Sequence, residues 1–341
     1  MARIAFTSDR AWLAPGQVLD GAEVQVEDDT VAWIGARGSG PEAPEVVALG
    51  GFLMPAGADR HVHVAMHEPG EVLRRGVTAV RDLGWPADRI FPLADLSEGP
   101  GFDGPFIRAA GPMLTAPGGY PTGAFWAPVG TGLEVADAAG AAAAVADLAS
   151  AGAVAIKVAL NAEAGPTLGD ATLLAIVGAA AAFDLPVTAH AQGVGQVERA
   201  LGAGVAELAH TPWDPLPDDV LRRAAGVLRI VSTLDITSFG RDTPELGQAL
   251  RNLERFLAAG GEVVYGTDLG NGSIPPGIHT RELQLLRRAG LDPDGVLQAL
   301  IRAPLAVGAP ADLIGLGADP LEDLRAFDDL SVVIRAGRIV V

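Results

Sequence analysis

The sequence predicts an α/β protein, a (β/α)8 TIM barrel with a small β-sandwich domain built from both termini. Three observations carry this. Eight apolar, β-type segments alternate with helical patterns through the middle of the 341-residue chain. Both ends show short alternating strands, too few at either end to close a core alone. Imidazoles, one lysine and one carboxylate fall at the carboxyl ends of the central segments, where a barrel places its chemistry.

The elements follow in order. Residues 4–6, 21–26 and 30–34 alternate like short strands, with turn residues between them. The central strands are expected at 57–63, 77–82, 106–110, 154–160, 186–190, 205–210, 229–234 and 262–268. Helical patterns follow most of them, as at 168–183, 194–203 and 243–259. The Ala-rich stretch 138–149, framed by Asp137 and Asp147, reads as a further helix. Residues 311–341 return to short strands, expected to pair with the first ones. The expected division is therefore 1–52 plus 306–341 as the small β domain and 53–305 as the barrel. A doubly wound sheet is the alternative, but no glycine-rich dinucleotide fingerprint follows the first central strand.

Composition narrows the function. Forty-two acids against 24 Lys+Arg give a net charge of −18, which argues against nucleic acid or an anionic membrane as partner. There is no cysteine, so disulfides, thiolate metal sites and cysteine nucleophiles are excluded. Hydrophobic residues make up 49% of the chain, and mean hydropathy is +0.30, enough for a large core. No run reaches the roughly 18 apolar residues of a membrane helix. The N-terminal residues lack the apolar core of a signal peptide, so a cytoplasmic protein is expected.

Lys157 is the only lysine, set in the apolar stretch 152–160. A lysine amine, unlike a guanidinium, loses its proton when desolvated and becomes a nucleophile. The plainer reading is a lysine that snorkels from a strand end to solvent. His61 and His63 sit at i and i+2 on one strand, so their imidazoles share a side. His190 and His210 end later strands, and Asp268 ends the last; His67 and His279 fall outside this pattern. Taken singly, each reads as a satisfied core histidine or a helix-capping aspartate. Taken together they converge on one barrel mouth, and imidazoles with a carboxylate suit zinc or a similar divalent ion.

With these residues in hand, the chain resembles the amidohydrolase superfamily, in its binuclear metal-dependent branch of dipeptidase and imidazolonepropionase type. The resemblance covers nearly the whole length. Its motifs are Gly51-Phe52-Leu53-Met54-Pro55 with Asp59-Arg60-His61-Val62-His63, then Val77-Thr78-Ala79-Val80-Arg81-Asp82-Leu83-Gly84. Ile156-Lys157-Val158, Thr188-Ala189-His190, Glu207-Leu208-Ala209-His210 and Gly266-Thr267-Asp268 continue it, with the terminal Ala311-Asp312-Leu313-Ile314. The resemblance implies two divalent metal ions, Zn2+ in the first instance, held by His61, His63, His190, His210 and Asp268. It implies a carbamylated, CO2-derived Lys157 bridging them, which explains why arginine will not serve. It further implies Asp268 as the group that orients a metal-bridged hydroxide and carries its proton to the leaving group.

Some features depart from the family. Gly118-Gly119-Tyr120 stands where relatives of dipeptidase type show Gly-Gly-His. Tyr120 is a candidate donor to the scissile carbonyl, or a loop tyrosine that only packs. Residues 113–132, rich in Gly, Pro and aromatics, form a candidate lid or specificity loop. Arg241 is a candidate partner for a substrate carboxylate, against the plainer reading of a helix-start arginine. The links after His63 and around residues 301–312 are shorter than in relatives.

The expected function is hydrolysis of an amide, or a related ester or lactone, of a small molecule such as an N-acyl amino acid or dipeptide. A mononuclear deaminase or cyclic-imidate hydrolase on the same barrel is the alternative enzyme; such deaminases often carry a glutamate near the strand-5 histidine, where this chain has Gln192. A catalytically silent binding barrel is the non-enzyme reading. Counting metals, two, one or none per chain, separates the three. The expected partner is a small-molecule substrate, with neither nucleic acid nor membrane, and a homo-oligomer is compatible with all of this.

Overall fold

The computed structural model describes residues 3–99 and 101–341. The first five strands are β1 (Ile4–Ala14), β2 (Gln17–Glu27), β3 (Thr30–Ala36), β4 (Glu45–Ala48) and β5 (Phe52–Pro55). The next three are β6 (Gly57–Val62), β7 (Val77–Asp82) and β8 (Phe106–Ala109). Seven more follow: β9 (Met113–Thr115), β10 (Gly132–Glu134), β11 (Ile156–Asn161), β12 (Val187–Gln192), β13 (Glu207–Leu208), β14 (Arg229–Val231) and β15 (Glu262–Val264). The chain ends with β16 (Leu313–Leu316), β17 (Leu330–Arg335) and β18 (Arg338–Ile339).

The termini do pair, but the ladders join them in one eight-stranded sheet where the sequence suggests a sandwich. Its order is β18-β17-β16-β5-β1-β2-β3, with β4 also on β1. The reason lies in β1, which is 11 residues long. Its first half pairs β4 and its second half pairs β5 on the same edge. β5 in turn pairs β16 antiparallel, so the C-terminal strands extend the N-terminal sheet. Gly51 makes the close approach: a Cβ there would lie 2.2 Å from the Leu316 carbonyl oxygen, and its φ is +46°.

The centre is parallel β-sheet with helices between strands. β7 and β11 are buried along their whole length, as parallel strands covered on both faces must be. All eight expected central strands are present, though not as one continuous ladder. They lie in a seven-stranded parallel sheet, β10-β9-β11-β12-β13-β14-β15, and a three-stranded one, β6-β7-β8. Backbone hydrogen bonds cross both seams. Val154 N donates to Ala109 O at one (3.0 Å), and Asp268 N donates to His61 O at the other (2.8 Å). β6, β8, β13, β14 and β15 end earlier than the apolar pattern suggests, whereas β11 and β12 run to Asn161 and Gln192, past it. β13 and β15 keep two and three ladder residues, because the stretches beyond them turn out of the ladder to carry His210 and Asp268.

The helices bury one stripe each. The helix Pro244–Ala258 buries Leu246, Ala249, Leu253 and Phe256, a three-and-four spacing. Thr243 caps its start by accepting from Leu246 N, and Pro244 takes the first turn, where no N–H is needed. The Ala-rich helix spans Ala138–Ser150 and is capped by Asp137, as the sequence indicates. No helix among the described residues is long and apolar enough to cross a membrane.

Candidate metal centre

Seven of the residues singled out in the sequence line one cavity of about 410 Å3: His61, His63, Tyr120, Lys157, His190, His210 and Asp268. The strands and the segments after them deliver these residues, though Lys157 is the second residue of β11 and His190 the fourth of β12, not at the carboxyl ends the sequence suggests. β6 brings His61 and leads into His63, β11 brings Lys157, β12 brings His190, and the segments after β13 and β15 bring His210 and Asp268. Lys157 is completely buried and the other metal-type residues are at most 8% exposed. Arg241 is the exception. It is not among the cavity-lining residues; left-handed Phe239 and Gly240 turn the chain before it, so that Phe239 enters the wall and Arg241 stays exposed.

The imidazoles are aimed by their outer nitrogens. His61 Nδ1 donates to the Ala209 carbonyl (2.9 Å) and His63 Nδ1 to the Gly84 carbonyl (3.0 Å). A carbonyl only accepts, so the proton sits on Nδ1 and Nε2 faces inward as a lone pair in the neutral ring. His210 Nδ1 meets Thr233 Oγ1 at 2.9 Å, which likewise turns Nε2 inward. His190 is aimed the other way round. Its Nε2 meets Gln192 Oε1 at 3.2 Å, and Gln192 Nε2 donates to Glu163 Oε2 at 2.6 Å, which fixes the amide. Asn161 donates to the same Gln192 oxygen. Asn161 Nδ2 also lies 3.2 Å from His190 Nε2, so both amides engage that nitrogen and Nδ1 is the one left without a protein partner among the described residues.

Inward-facing Lewis bases crowd one point. Asp268 Oδ1 lies 3.2 Å from His61 Nε2 and 3.3 Å from His63 Nε2. Donor atoms of His61, His63 and Asp268 all fall within 4.8 Å of one another. Asp268 Oδ1 and Lys157 Nζ are buried without a hydrogen-bond partner. His61 and His210 rings stand 4.7 Å apart, as do those of His190 and His210. Buried polar atoms are nearly always satisfied, so an amine with no partner among the described residues and a carboxylate oxygen whose nearest neighbours are inward imidazole nitrogens, both lining one cavity, call for a missing ligand. The donor set, imidazole nitrogens with carboxylate oxygen, fits a divalent cation.

The electrostatics agree. Burial, with positive neighbours second, holds the His61 and His210 imidazoles well below their ordinary range and His190 at about 4. Burial opposes a proton on His63 too, but the Asp268 carboxylate overrides it and raises that imidazole. Burial works against an ionised Asp268 as well, yet the His61 and His63 imidazoles hold it well below the usual carboxylate range. Burial is also the largest influence on Lys157, bringing it down to about 7. The amine is therefore substantially neutral near neutral pH, the form that reacts.

Several further residues hold the site in place. Asp59 accepts from His61 N, Thr267 N and the Thr267 hydroxyl, tying the first and last strands together beside the site. Asp268 itself has φ +58°, a left-handed conformation that Asp tolerates better than most side chains. Gly266 allows the two strands to close: a Cβ there would meet Val231 Cγ1 at 2.3 Å and His61 Cβ at 3.2 Å. Thr233, β-branched and left-handed at φ +39°, is a strained residue holding His210. The signal that finds Asn161 and Thr233 is the one that finds the histidines, a polar residue where an apolar strand ends.

The fold is similar to that of solved proteins described as a dipeptidase, a prolidase and an amidohydrolase. Similar solved structures include a Xaa-Pro dipeptidase with bound methionine in its active site, with TM-score 0.86 and 19% identity over 99% of both chains. A Bifidobacterium longum protein provisionally described as a prolidase has TM-score 0.84 and 25% identity, over 99% of this chain and 94% of that one. The A. niger ochratoxinase has TM-score 0.83 and 20% identity, over 99% and 96%. No family model matches the sequence, and no curated protein does.

Proposed function

We propose that this protein is a metal-dependent hydrolase that cleaves the C–N bond of a small-molecule amide. The observation that carries the reading is the pair of buried, unpartnered atoms, Asp268 Oδ1 and Lys157 Nζ, among imidazole lone pairs turned inward. The similar structures support it, since a Xaa-Pro dipeptidase, an ochratoxinase and an amidohydrolase are among them.

His61, His63 and Asp268 would hold one divalent ion, and His190 and His210 a second, with Lys157 joining them as its carbamate. Zn2+ suits this donor set. When bound, such ions polarise the carbonyl and make water a nucleophile at neutral pH. The chain supplies the rest. Asp268 Oδ1 takes the proton that water loses. The same carboxylate returns it to the departing nitrogen, so that the acyl carbon gains a hydroxyl and the nitrogen a hydrogen. Tyr120, which lines the same cavity, would donate to the scissile carbonyl; burial, and after it the Asp268 charge, push its hydroxyl up and keep it protonated. Trp126, whose ring centroid lies 6.1 Å from that of Tyr120 and 5.1 Å from that of His63, walls the tyrosine in.

Within this reading the two parallel sheets act as one (β/α)8 barrel over 53–305, supported by the hydrogen bonds across both seams. The terminal strands 1–52 and 306–341 form the attached β unit, with β5 as the junction. A small-molecule substrate and a cytoplasmic setting go with it. The test is metal analysis beside an amide-hydrolysis panel of dipeptides, N-acyl amino acids, anilides and lactones on the reconstituted protein. Two metals and hydrolysis of an amide support the reading. A protein that binds no divalent metal refutes it.

A further inference from the structure

We propose that the cavity selects substrates carrying a protonated amine or guanidinium, with Glu245 as the counter-charge; this rests on the hydrolase reading above. Among the cavity-lining residues the only basic side chain other than histidine is Lys157, which is completely buried and faces the metal centre. No arginine lines the cavity, and Arg241 stands outside it. A carboxylate at the mouth would meet no fixed cation there. It would meet Glu245 instead, which lines the cavity and is exposed. The Glu245 side chain makes no hydrogen bond or ion pair with any described residue, whereas Glu163 is engaged by the cavity-lining Gln192.

Aromatic faces complete the recognition. Trp213, Phe239 and Tyr120 line the same space. Aromatic faces attract cations, and a carboxylate beside them gives an ammonium both a charge partner and an apolar bed. Helix capping does not account for Glu245. Its helix is already capped by Thr243, and Glu245 lies one residue short of the position from which a side chain reaches back to the cap.

The test uses the metal-reconstituted protein and a matched pair of substrates, 6-aminohexanoyl anilide and hexanoyl anilide. The bond cleaved is the same, and only the ammonium differs. Wild type should prefer the amino compound about tenfold in kcat/KM, the size of one charge-assisted contact at a partly wet site. Glu245→Gln should erase that preference while leaving hexanoyl anilide turnover unchanged, with at most a small fall in Tm from losing a first-turn acid; a residue serving only the helix would lower Tm and leave the preference intact. A preference for hexanoyl anilide, or a preference that survives Glu245→Gln, overturns the proposal. If neither anilide is cleaved, the failure bears on the hydrolase reading, and calorimetry decides this one. Phenethylamine should bind about tenfold more tightly than 2-phenylethanol, and only the amine should weaken in Glu245→Gln. Amine binding no tighter than the alcohol, or unaffected by the substitution, overturns it.

Discussion

At the residue scale, Lys157 concentrates the argument. Its amine is buried, unpartnered and brought down to about 7. Only the neutral amine takes up CO2, so carbamate formation, and metal uptake with it, should rise as pH increases through about 7. Titrating metal affinity at constant bicarbonate checks this, and a flat profile counts against the carbamate. The stability consequence has the same sign. On unfolding Lys157 regains its ordinary value of 10.5, so between about 7 and 10.5 the unfolded chain binds the extra proton. In that window the site's contribution to the stability of the metal-free protein grows with pH, and Lys157→Met should flatten the slope of Tm against pH. Asp268 divides from the histidines by role. Asp268→Asn should keep most of its metal and lose activity by about a hundredfold, as expected for a positioned acid–base group. His61→Asn and His63→Asn should lose metal first. Metal analysis and kinetics on the same preparations separate these outcomes.

Thr233 gives a finer residue-scale prediction. Its hydroxyl meets His210 Nδ1 at 2.9 Å while its backbone sits at φ +39°. Outer partners of metal-binding histidines are typically worth 10- to 100-fold in affinity or activity, so Thr233→Val should weaken metal binding by at least about tenfold. Thr233→Ser, which keeps the hydroxyl, should stay near wild type. Equal behaviour of the two variants in a metal competition assay would remove Thr233 from the site.

At the scale of elements, Gly266 tests how the first and last central strands meet. Gly266→Ala places a methyl 2.3 Å from Val231 and against His61. Overpacking of this kind costs about 1–3 kcal/mol. Tm should fall, and the surviving folded protein should bind metal less tightly, because the strand carrying Asp268 is pushed from the one carrying His61. Here the sequence was legible in a specific way. His61 and His63 at i, i+2, and His190 and His210 as polar residues in or just beyond apolar strands, were readable because strand periodicity and barrel chemistry both act locally. Asn161 and Thr233 carry the same strand-end signal, but no local pattern names their partners His190 and His210; Glu163, held by Gln192, carries no signal. For Arg241 the plainer reading, an arginine near a helix start, agrees with its place: two consecutive left-handed residues precede it, it stays exposed outside the cavity lining, and only Gly240 advertises that turn in the sequence.

At the scale of the whole molecule, the eight central segments and the pairing of the two ends were legible as patterns. The ladder arrangement was not. That β4 and β5 share one edge of β1, or that β13 keeps only two ladder residues, depends on long-range register that no local pattern encodes. The strong acidity, net −18, has a clearer reading at this scale. It discourages polyanionic partners and agrees with a cavity mouth whose free side chain is a carboxylate. The account stands or falls on the metal centre that the converging strands build. The most direct measurement is the divalent metal content of the wild type and of Lys157→Arg, each reconstituted with Zn2+ in bicarbonate and freed of excess. The account predicts two ions per chain in the wild type and loss of the pair in the variant. A wild type that retains none, or a Lys157→Arg protein that retains two with full turnover, would contradict it.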